Sequence, residues 1–222
     1  MSQGKLIVLE GTDGSGKATQ TQMLFDRLLR EGISCRKLCF PRYGEPSAAP
    51  IELYLQGKLG AHADDVSPYA ASALFAVDRF CSYRQDWGEY YENGGILITD
   101  RYTTSNAIHQ ASKLPDGMRE AFLDWLFRFE YEQIGLPAPS LVFYLDVPTE
   151  VTEKMMRERE AKTNTQADIH EKDEEYLLRC RMGAEAIIAR CGWQKIDCTE
   201  DGEMRAREDI HEELYQKVKA LF

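Results

Sequence analysis

The stretch LIVLEGTDGSGKATQ, from Leu6 to Gln20, constrains the fold more than any other part of the chain. Its apolar start is typical of a strand buried on both faces of a parallel sheet, and its glycine-rich turn leads into a helical pattern. The turn fits GxxxxGK, in which glycines allow positive φ and backbone N–H groups point at phosphate oxygens. The sequence therefore predicts a phosphate-binding loop at 11–18 for a nucleoside triphosphate, with these contact residues: Gly11, Thr12, Asp13, Gly14, Ser15, Gly16, Lys17, Ala18 and Thr19.

The loop alone does not distinguish a kinase from an ATPase or a switch protein. Lys17 is positioned to bring a point charge near the β- and γ-phosphates. Asp13 repels phosphate, so we interpret it either as an acceptor for a second substrate's hydroxyl or as a solvent-exposed group. Ala18 stands where such loops usually carry Ser or Thr, with Thr19 next to it.

The charge balance argues against nucleic-acid and anionic-membrane partners. The 222 residues carry a formal net charge of -10, whereas both partner classes recruit Lys and Arg. The first residues show no signal-peptide pattern, and no apolar run approaches the ~18–20 residues of a membrane span. These features predict a cytoplasmic protein whose partners are small molecules.

Strand patterns alternate with helical patterns along the whole chain. This alternation predicts an α/β fold, with a five-stranded parallel sheet, helices on both faces and a single domain over 1–222. The predicted strands are 5–10, 34–40, 96–100, 140–146 and 193–198. The predicted helices are 18–31, 47–58, 68–92, 104–112, 116–133, about 149 to 162, about 169 to 190, and 203–221.

Charged and aromatic residues gather where predicted strands end, and ligands of such sheets bind there. FPRYG brings Phe40 and Arg42 after the second strand, where the arginine suits a phosphate, a carboxylate or a structural ion pair. ILITDRYTTSN brings Asp100 and Arg101 after the third strand. Asp100 suits a Mg²⁺ ion held through water, and Arg101 suits an acceptor phosphate or a loop salt bridge.

Two helical segments add further candidates. In LFAVDRF, Phe75 and Arg79 lie four residues apart on one helical face and could hold a flat heterocycle, or could be a core Phe and a surface Arg. KMMREREAKTNTQAD carries Arg157 and Arg159 into a polar stretch. This pattern suits a mobile lid over 157–169 that neutralises a transferring phosphoryl group, or a solvated helix end.

Taken together, EGTDGSGKATQ, FPRYGEP, LFAVDRF, DRYTTSNA and YEQIGLPAPSLVFYLDVP resemble the thymidylate kinase family of P-loop nucleoside-monophosphate kinases. The resemblance extends over nearly the whole chain. It implies a P-loop NTPase fold with a small lid, ATP as donor, Mg²⁺ as cofactor and dTMP as acceptor. The implied product is dTDP, made in dTTP biosynthesis, and the implied assembly is a homodimer.

The resemblance also implies roles for single residues. Asp13 looks like the acid that contacts the sugar 3′-hydroxyl, and Phe75 like the residue that stacks on thymine with Arg79 reaching O4. Asp100 resembles the acid of the metal–water shell, with Thr19 as a secondary metal ligand. The acceptor side of the site then consists of Asp13, Phe40, Arg42, Phe75, Arg79, Arg101, Ser105, Asn106 and His109.

Three features separate this chain from other members of the family it resembles. The loop carries Gly14 where some members carry a basic residue, so the catalytic arginine is expected from the lid, as Arg157 or Arg159. Ala18 removes the loop hydroxyl that commonly helps bind Mg²⁺. His109 stands where many members place Tyr or Phe against the 2′ side of the sugar.

In-line phosphoryl transfer between two anions needs alignment and positive charge more than a strong base. The expected catalytic set is Asp13, Lys17, Arg101, Arg157 and Arg159. Three rival functions remain at this stage: a monophosphate kinase for another base, a nucleoside kinase, and a nucleotide-binding switch without an acceptor.

Overall fold

The computed structural model describes residues 3–163, 168–170 and 173–221, with the side chains of residues 153 and 158–163 excepted. Five strands pair in parallel in the order β2-β3-β1-β4-β5, which confirms the predicted sheet. They are β1 (Lys5–Glu10), β2 (Cys35–Cys39), β3 (Ile96–Asp100), β4 (Leu141–Asp146) and β5 (Gln194–Asp197).

The helices follow the predicted alternation. They are α1 (Lys17–Arg30), α2 (Ala49–Leu55), α3 (Pro68–Ser82), α4 (Gly88–Glu92), α5 (Thr103–His109), α6 (Asp116–Phe127), α7 (Thr149–Thr163), α8 (Glu174–Cys191) and α9 (Arg207–Lys219). Single π-helical turns continue α3 and α6, at Tyr83–Trp87 and Arg128–Gln133.

The central strand β1 buries alternate side chains on opposite faces of the sheet. Ile7 and Leu9 pack in one cluster with the apolar faces of α1 and α9. Leu6 and Val8 pack in a second cluster with the aromatic side chains that flank α4. Because both faces need cover, the near-continuous apolar run of β1 predicts helices on both sides, as observed.

Two helix starts differ from the prediction. Helix α8 begins at Glu174 rather than near 169, because the side chain of Asp173 caps it by accepting from the Tyr176 N–H at 2.9 Å. Helix α9 begins at Arg207 rather than at 203, because an antiparallel hairpin of β6 (Thr199–Glu200) and β7 (Glu203–Met204) precedes it. The two turn residues between them adopt the positive φ that short hairpin turns require.

The strand order brings three strand ends together. In the register of the sheet Leu9 lies opposite Asp100, and Glu10 lies opposite Tyr144. The loops after β1, β3 and β4 therefore open at one edge of the sheet. None of the helices in the described part of the chain is long and apolar enough to cross a membrane.

Candidate active site

The phosphate-binding loop has the backbone that its glycines predict. Gly11, Gly14 and Gly16 have φ of 148°, 82° and 87°. A Cβ on Gly11 would lie 2.8 Å from the carbonyl oxygen of Leu145, and one on Gly14 would lie 2.7 Å from that of Thr152. The loop is thus packed tightly against β4 and the first turn of α7, which leaves no room for side chains at either glycine.

Lys17 begins α1 and is buried, with Nζ donating to the carbonyl oxygen of Thr12 at 2.8 Å. Asp13 Oδ1 lies 3.8 Å from the same ammonium. Burial lowers the pKa of Lys17, and nearby Arg101 lowers it further, whereas surrounding carboxylates oppose the shift. The lysine is therefore held inside the loop by a carbonyl and a carboxylate, and phosphate oxygens can replace the carbonyl contact.

Arg101 connects the phosphate-binding loop to α5. Its Nη2 donates to Asp13 Oδ1 at 2.5 Å, and its Nη1 contacts Ser105 Oγ at 3.2 Å and His109 Nε2 at 3.1 Å. Burial opposes ionisation of Asp13, but Arg101 and Lys17 outweigh it and hold the pKa of that carboxyl well below its usual range. The pair is therefore ionised at neutral pH.

The backbone of Arg101 is strained. Its φ is 66°, a conformation that costs on the order of 1–3 kcal/mol in a residue with a side chain. Its N–H donates to the carbonyl oxygen of Leu9 at 3.2 Å, and its carbonyl accepts from Thr99 Oγ1 at 2.8 Å. These two contacts fix the turn that directs the guanidinium toward the loop.

Glu10 is a site residue that the sequence analysis did not include. It is fully buried at the end of β1 and accepts from Thr104 Oγ1 at 2.6 Å and from Ser105 Oγ at 2.9 Å. It also accepts from the Tyr102 N–H at 3.2 Å. Burial raises the pKa of Glu10, with Arg101 acting against it. Its charge, directly after the apolar run of β1, was the available signal.

Arg42 lies after β2 and contacts residues of α3 and of the segment before α2. Its Nε donates to Asp78 Oδ1 at 3.1 Å and its Nη2 to Ser47 Oγ at 2.9 Å. Asp78 is buried on α3, whereas Arg42 is one-fifth exposed. The arginine is thus oriented by α3 and keeps part of its guanidinium accessible; its predicted contact with acceptor phosphate stays a prediction.

The predicted base-reading residues lie on facing surfaces of α3 and α5. Phe75 is half-buried, with its ring edge-on to Tyr54 at 6.2 Å, and Phe40 is buried 6.0 Å from the ring of Tyr102. Asn106 Nδ2 lies 3.4 Å from the carbonyl oxygen of Ser72 on α3.

Arg79 makes a contact that the sequence analysis missed. Its Nε and Nη2 donate to the two carboxylate oxygens of Glu130 at 2.8 and 2.6 Å. Both residues are fully buried, and Glu130 also accepts from Thr103 Oγ1 at 2.7 Å. The remaining nitrogen, Nη1, is 3.5 Å from the carbonyl oxygen of Tyr102. The predicted contact with thymine O4 therefore falls to Nη1 and stays a prediction.

Asp100 is the residue whose surroundings fit a metal role. Its Oδ1 is buried and has no hydrogen-bond partner, beside the phosphate-binding loop. The described residues contain no group of three or more His, Cys, Asp or Glu that could hold a metal. Mg²⁺ commonly needs only one or two carboxylates plus water and substrate phosphates, so one orphaned carboxylate oxygen fits it. Ala18 and Thr19 are both exposed on the first turn of α1.

The predicted lid falls partly outside the described residues. Arg157 lies on α7 with its guanidinium 3.8 Å from Glu174, and its side chain is three-quarters exposed. The side chain of Arg159 and residues 164–167 lie outside the description. Thr152 and Met156 on α7 lie close to Gly14, so this helix packs against the phosphate-binding loop.

The strands form a parallel sheet in this order, a GxxxxGK loop follows β1, and an acid and an arginine follow β3. Together these features define a P-loop nucleotide-binding protein of the nucleoside-monophosphate-kinase type. A family model described as thymidylate kinase matches residues 9–210. The chain therefore belongs to the thymidylate kinase family.

Individual relatives agree with this assignment. The thymidylate kinase of Mycobacterium tuberculosis is 36% identical over 191 residues, which cover 85% of this chain and 87% of the relative. That of Dictyostelium discoideum is 31% identical over 182 residues, covering 80% and 75%. A solved thymidylate kinase structure from Candida albicans superposes with a TM-score of 0.71 at 20% identity, covering 99% of this chain and 93% of that one, which supports the fold.

Proposed function

We propose that this chain is a dTMP kinase, which transfers the γ-phosphoryl group of ATP to dTMP and yields dTDP and ADP for dTTP biosynthesis. The observation that carries the proposal is the 2.5 Å contact between Arg101 and Asp13. It holds the cation that we propose for the acceptor phosphate against the phosphate-binding loop, as a kinase for a phosphorylated acceptor requires. A nucleoside kinase has no acceptor phosphate for that cation to hold.

In the proposed mechanism the chain aligns two anions and cancels their repulsion. Lys17 leaves the Thr12 carbonyl to contact the donor phosphates, and Arg42 and Arg101 hold the acceptor phosphate. Asp13 holds Arg101 in place and is within the loop to accept from the sugar 3′-hydroxyl. Because the acceptor phosphate is itself a nucleophile, no strong base is needed.

Asp100 is the proposed protein ligand of Mg²⁺, through water, and Thr19 has a secondary role. The bound ion supplies charge neutralisation at the donor phosphates. Asp100→Asn should raise the Mg²⁺ concentration needed for half-maximal activity, whereas Ala18→Ser should change it little. A large effect of Ala18→Ser with none from Asp100→Asn overturns this assignment.

The lid supplies the remaining positive charge in this proposal, through Arg157 or Arg159. A single arginine that stabilises the transition state is worth roughly 10²–10⁴-fold in kcat. Arg157→Ala and Arg159→Ala are therefore measured separately. A loss in kcat below about 10-fold in both variants rules out the assignment of the catalytic arginine to the lid. A single kinase domain over 1–222, a homodimer and a cytoplasmic location remain part of the same proposal.

The deciding experiment is ADP release from ATP–Mg²⁺ with dTMP, dUMP, dCMP, dGMP and thymidine as acceptors, against a control without acceptor. The proposal expects strong stimulation by dTMP. Stimulation by another monophosphate moves the base assignment and keeps the chemistry. Ribothymidine monophosphate is added because His109 stands at the sugar, and equal rates on it remove the claim of deoxyribose selectivity.

A further inference from the structure

A cluster of buried polar side chains lies beside the acceptor-side arginine, and most of it has no role in the function proposed above. It consists of His109 at the end of α5, His170 between α7 and α8, Tyr54 on α2 and Lys113 after α5, and is called here the histidine cluster. His109 and His170 are only 4% and 6% exposed. Two buried imidazoles in contact need a physical reason, because each must find partners for its ring nitrogens.

The histidine cluster forms one continuous path. Lys113 Nζ donates to Tyr54 Oη at 2.9 Å, and Tyr54 Oη lies 2.8 Å from His170 Nε2. The ring of His170 stacks on that of His109, with centroids 5.6 Å apart and planes within 10°. His109 Nε2 then meets Arg101 Nη1 at 3.1 Å. The path therefore ends on the arginine assigned to the acceptor phosphate.

The partners at the Arg101 end fix the tautomer of His109. A guanidinium has only donors, so His109 Nε2 accepts and the neutral ring carries its proton on Nδ1. That nitrogen lies 3.6 Å from Cys180 Sγ. Ser112 Oγ donates its proton to the His109 carbonyl oxygen at 2.9 Å. The Cys180 thiol therefore donates to Ser112 Oγ at 3.2 Å, and its sulfur accepts from His109 Nδ1. His109 is thus held on both ring nitrogens.

The same reasoning applies at the Lys113 end. The ammonium has only donors, so Tyr54 Oη accepts from it, and the hydroxyl also contacts His170 Nε2 at 2.8 Å and the Ala63 carbonyl oxygen at 3.5 Å. Burial lowers the pKa of His170 to about 3, with Lys113 and Arg101 adding to the effect and Asp13 opposing it. Burial also lowers the pKa of His109 well below its usual value. Both imidazoles are therefore neutral at working pH, and His109 is the Nδ1–H tautomer.

We propose that His170 is a positioning residue for the acceptor phosphate: by stacking on His109 it holds the ring nitrogen that orients Arg101. This inference rests on the proposed function. The backbone beside His170 is itself anchored, because the Ile169 N–H donates to the Leu55 carbonyl at 3.1 Å. His170, which follows the predicted lid directly, is thereby coupled through two stacked rings to the guanidinium of Arg101.

The test compares the binding of dTMP and thymidine, since only dTMP carries the phosphate that Arg101 would hold. His170→Ala should weaken dTMP binding about 10-fold or more, as expected for a misaligned charge-assisted hydrogen bond of ~1.5–3 kcal/mol. Thymidine binding should change less than dTMP binding, because thymidine meets His109 and Asp13 at the sugar but offers no phosphate to Arg101. His211→Ala, which removes a similarly buried imidazole on α9, is the control and should leave the ratio of the two affinities unchanged.

Further variants separate positioning from plain structural support. His170→Phe keeps the stacked ring and should stay near wild type, whereas His170→Gln keeps an acceptor without the stack and should behave like His170→Ala. His109→Ala should lower the ratio of dTMP to thymidine affinity as His170→Ala does. The double variant His109→Ala with His170→Ala should lower that ratio no further than His109→Ala alone. Additive losses, or equal weakening of dTMP and thymidine, overturn the proposal.

The two levels of proposal fail in different ways. If the wild-type chain does not phosphorylate dTMP, the proposed function fails and the role of His170 falls with it. If the wild-type chain is an active dTMP kinase and His170→Ala keeps the wild-type ratio of dTMP to thymidine affinity, the role of His170 alone is wrong.

Discussion

Arg101 shows how much of the site depends on the shape of one side chain. It contacts Asp13, Ser105 and His109 at once through two terminal nitrogens, which only a planar fork of donors can do. Arg101→Lys keeps the charge but cannot keep all three contacts. We expect kcat/KM for dTMP to fall by roughly 10²-fold or more, as for other electrostatic donors.

The measurement is steady-state kinetics with dTMP as the varied substrate. Arg36→Lys, at an exposed arginine on β2 whose partner Asp86 lies 3.6 Å away, is the control and should be near wild type. An Arg101→Lys variant whose kcat/KM stays within about 10-fold of wild type would show that charge alone is sufficient.

Lys113 gives a pH dependence whose sign can be stated. Burial lowers its pKa to about 8, from 10.5 in a solvated lysine. Between these values the folded chain binds fewer protons than the unfolded chain, so Lys113 makes stability rise as pH increases. The free energy of unfolding of wild type relative to Lys113→Met should therefore increase from about pH 8 to 10.5 and be constant below pH 8.

Urea unfolding at pH 7, 8, 9 and 10 measures this difference, with Lys58→Met as the exposed-lysine control. Parallel stability curves for wild type and Lys113→Met contradict the expectation. The comparison with a variant matters because burial raises the pKa of tyrosines such as Tyr54 and Tyr102, so tyrosines that ionise first in the unfolded chain also change stability near the upper end of this range.

Single residues also show why part of the site could not be predicted from the sequence. Lys17 and Arg101 belong to short motifs whose geometry is local, so their positions could be predicted. Glu10 is stabilised by hydroxyls from α5, about 95 positions away in the chain, and His170 by Tyr54, 116 positions away. Nothing near either residue in the sequence indicates such partners.

At the scale of elements, the π-helical turn after α6 brings Glu130 to the buried face of α3. Glu130 is the carboxylate that Arg79 contacts with two nitrogens, and neither group reaches solvent. Glu130→Ala leaves a buried arginine without its partner. Loss of one member of a buried pair costs about 3–5 kcal/mol, so we expect a loss of that size in the free energy of unfolding.

Denaturant titration of wild type and Glu130→Ala measures the loss. Asp116→Ala is the matched control, because Asp116 is 91% exposed and pairs with Arg119 at 2.8 Å. An exposed pair contributes about 0–1 kcal/mol. A Glu130→Ala variant as stable as the control would mean that Arg79 finds water or another partner.

The secondary-structure elements were predicted well where hydrophobic periodicity is strong. They were predicted less well where a capping side chain or a turn sets the end of the element. The five strands and the long α3 pattern follow from hydrophobic spacing. The start of α8 depends on Asp173 rather than on any apolar residue, and the β6–β7 hairpin depends on two turn residues. Such end points are set by single hydrogen bonds, which periodicity does not register.

At the scale of the whole molecule, α3 presents an exposed apolar face that supports the proposed homodimer. Tyr69, Val77 and Phe80 lie on one side of the helix and are 39%, 50% and 39% exposed. Val77→Asp should shift the protein from dimer to monomer in light scattering after size exclusion. Met182→Asp, on α8, changes an even more exposed residue and should leave the dimer intact; a monomeric wild type contradicts the proposal.

The central place of β1 has a consequence for synthesis on the ribosome. Lys5 pairs with Ile96 and Ile7 with Leu141, so the neighbours of this strand follow it by 96 − 5 = 91 and 141 − 7 = 134 residues. At about 5–20 residues per second, the second neighbour is made roughly 7–27 s after the first strand. The nucleotide-recognising loop thus leaves the ribosome well before β4, yet it cannot take its working shape until that strand has followed. During that interval the apolar first strand lacks its pairing with β4, and nascent chains cut before β4 should not be retained on an ATP matrix.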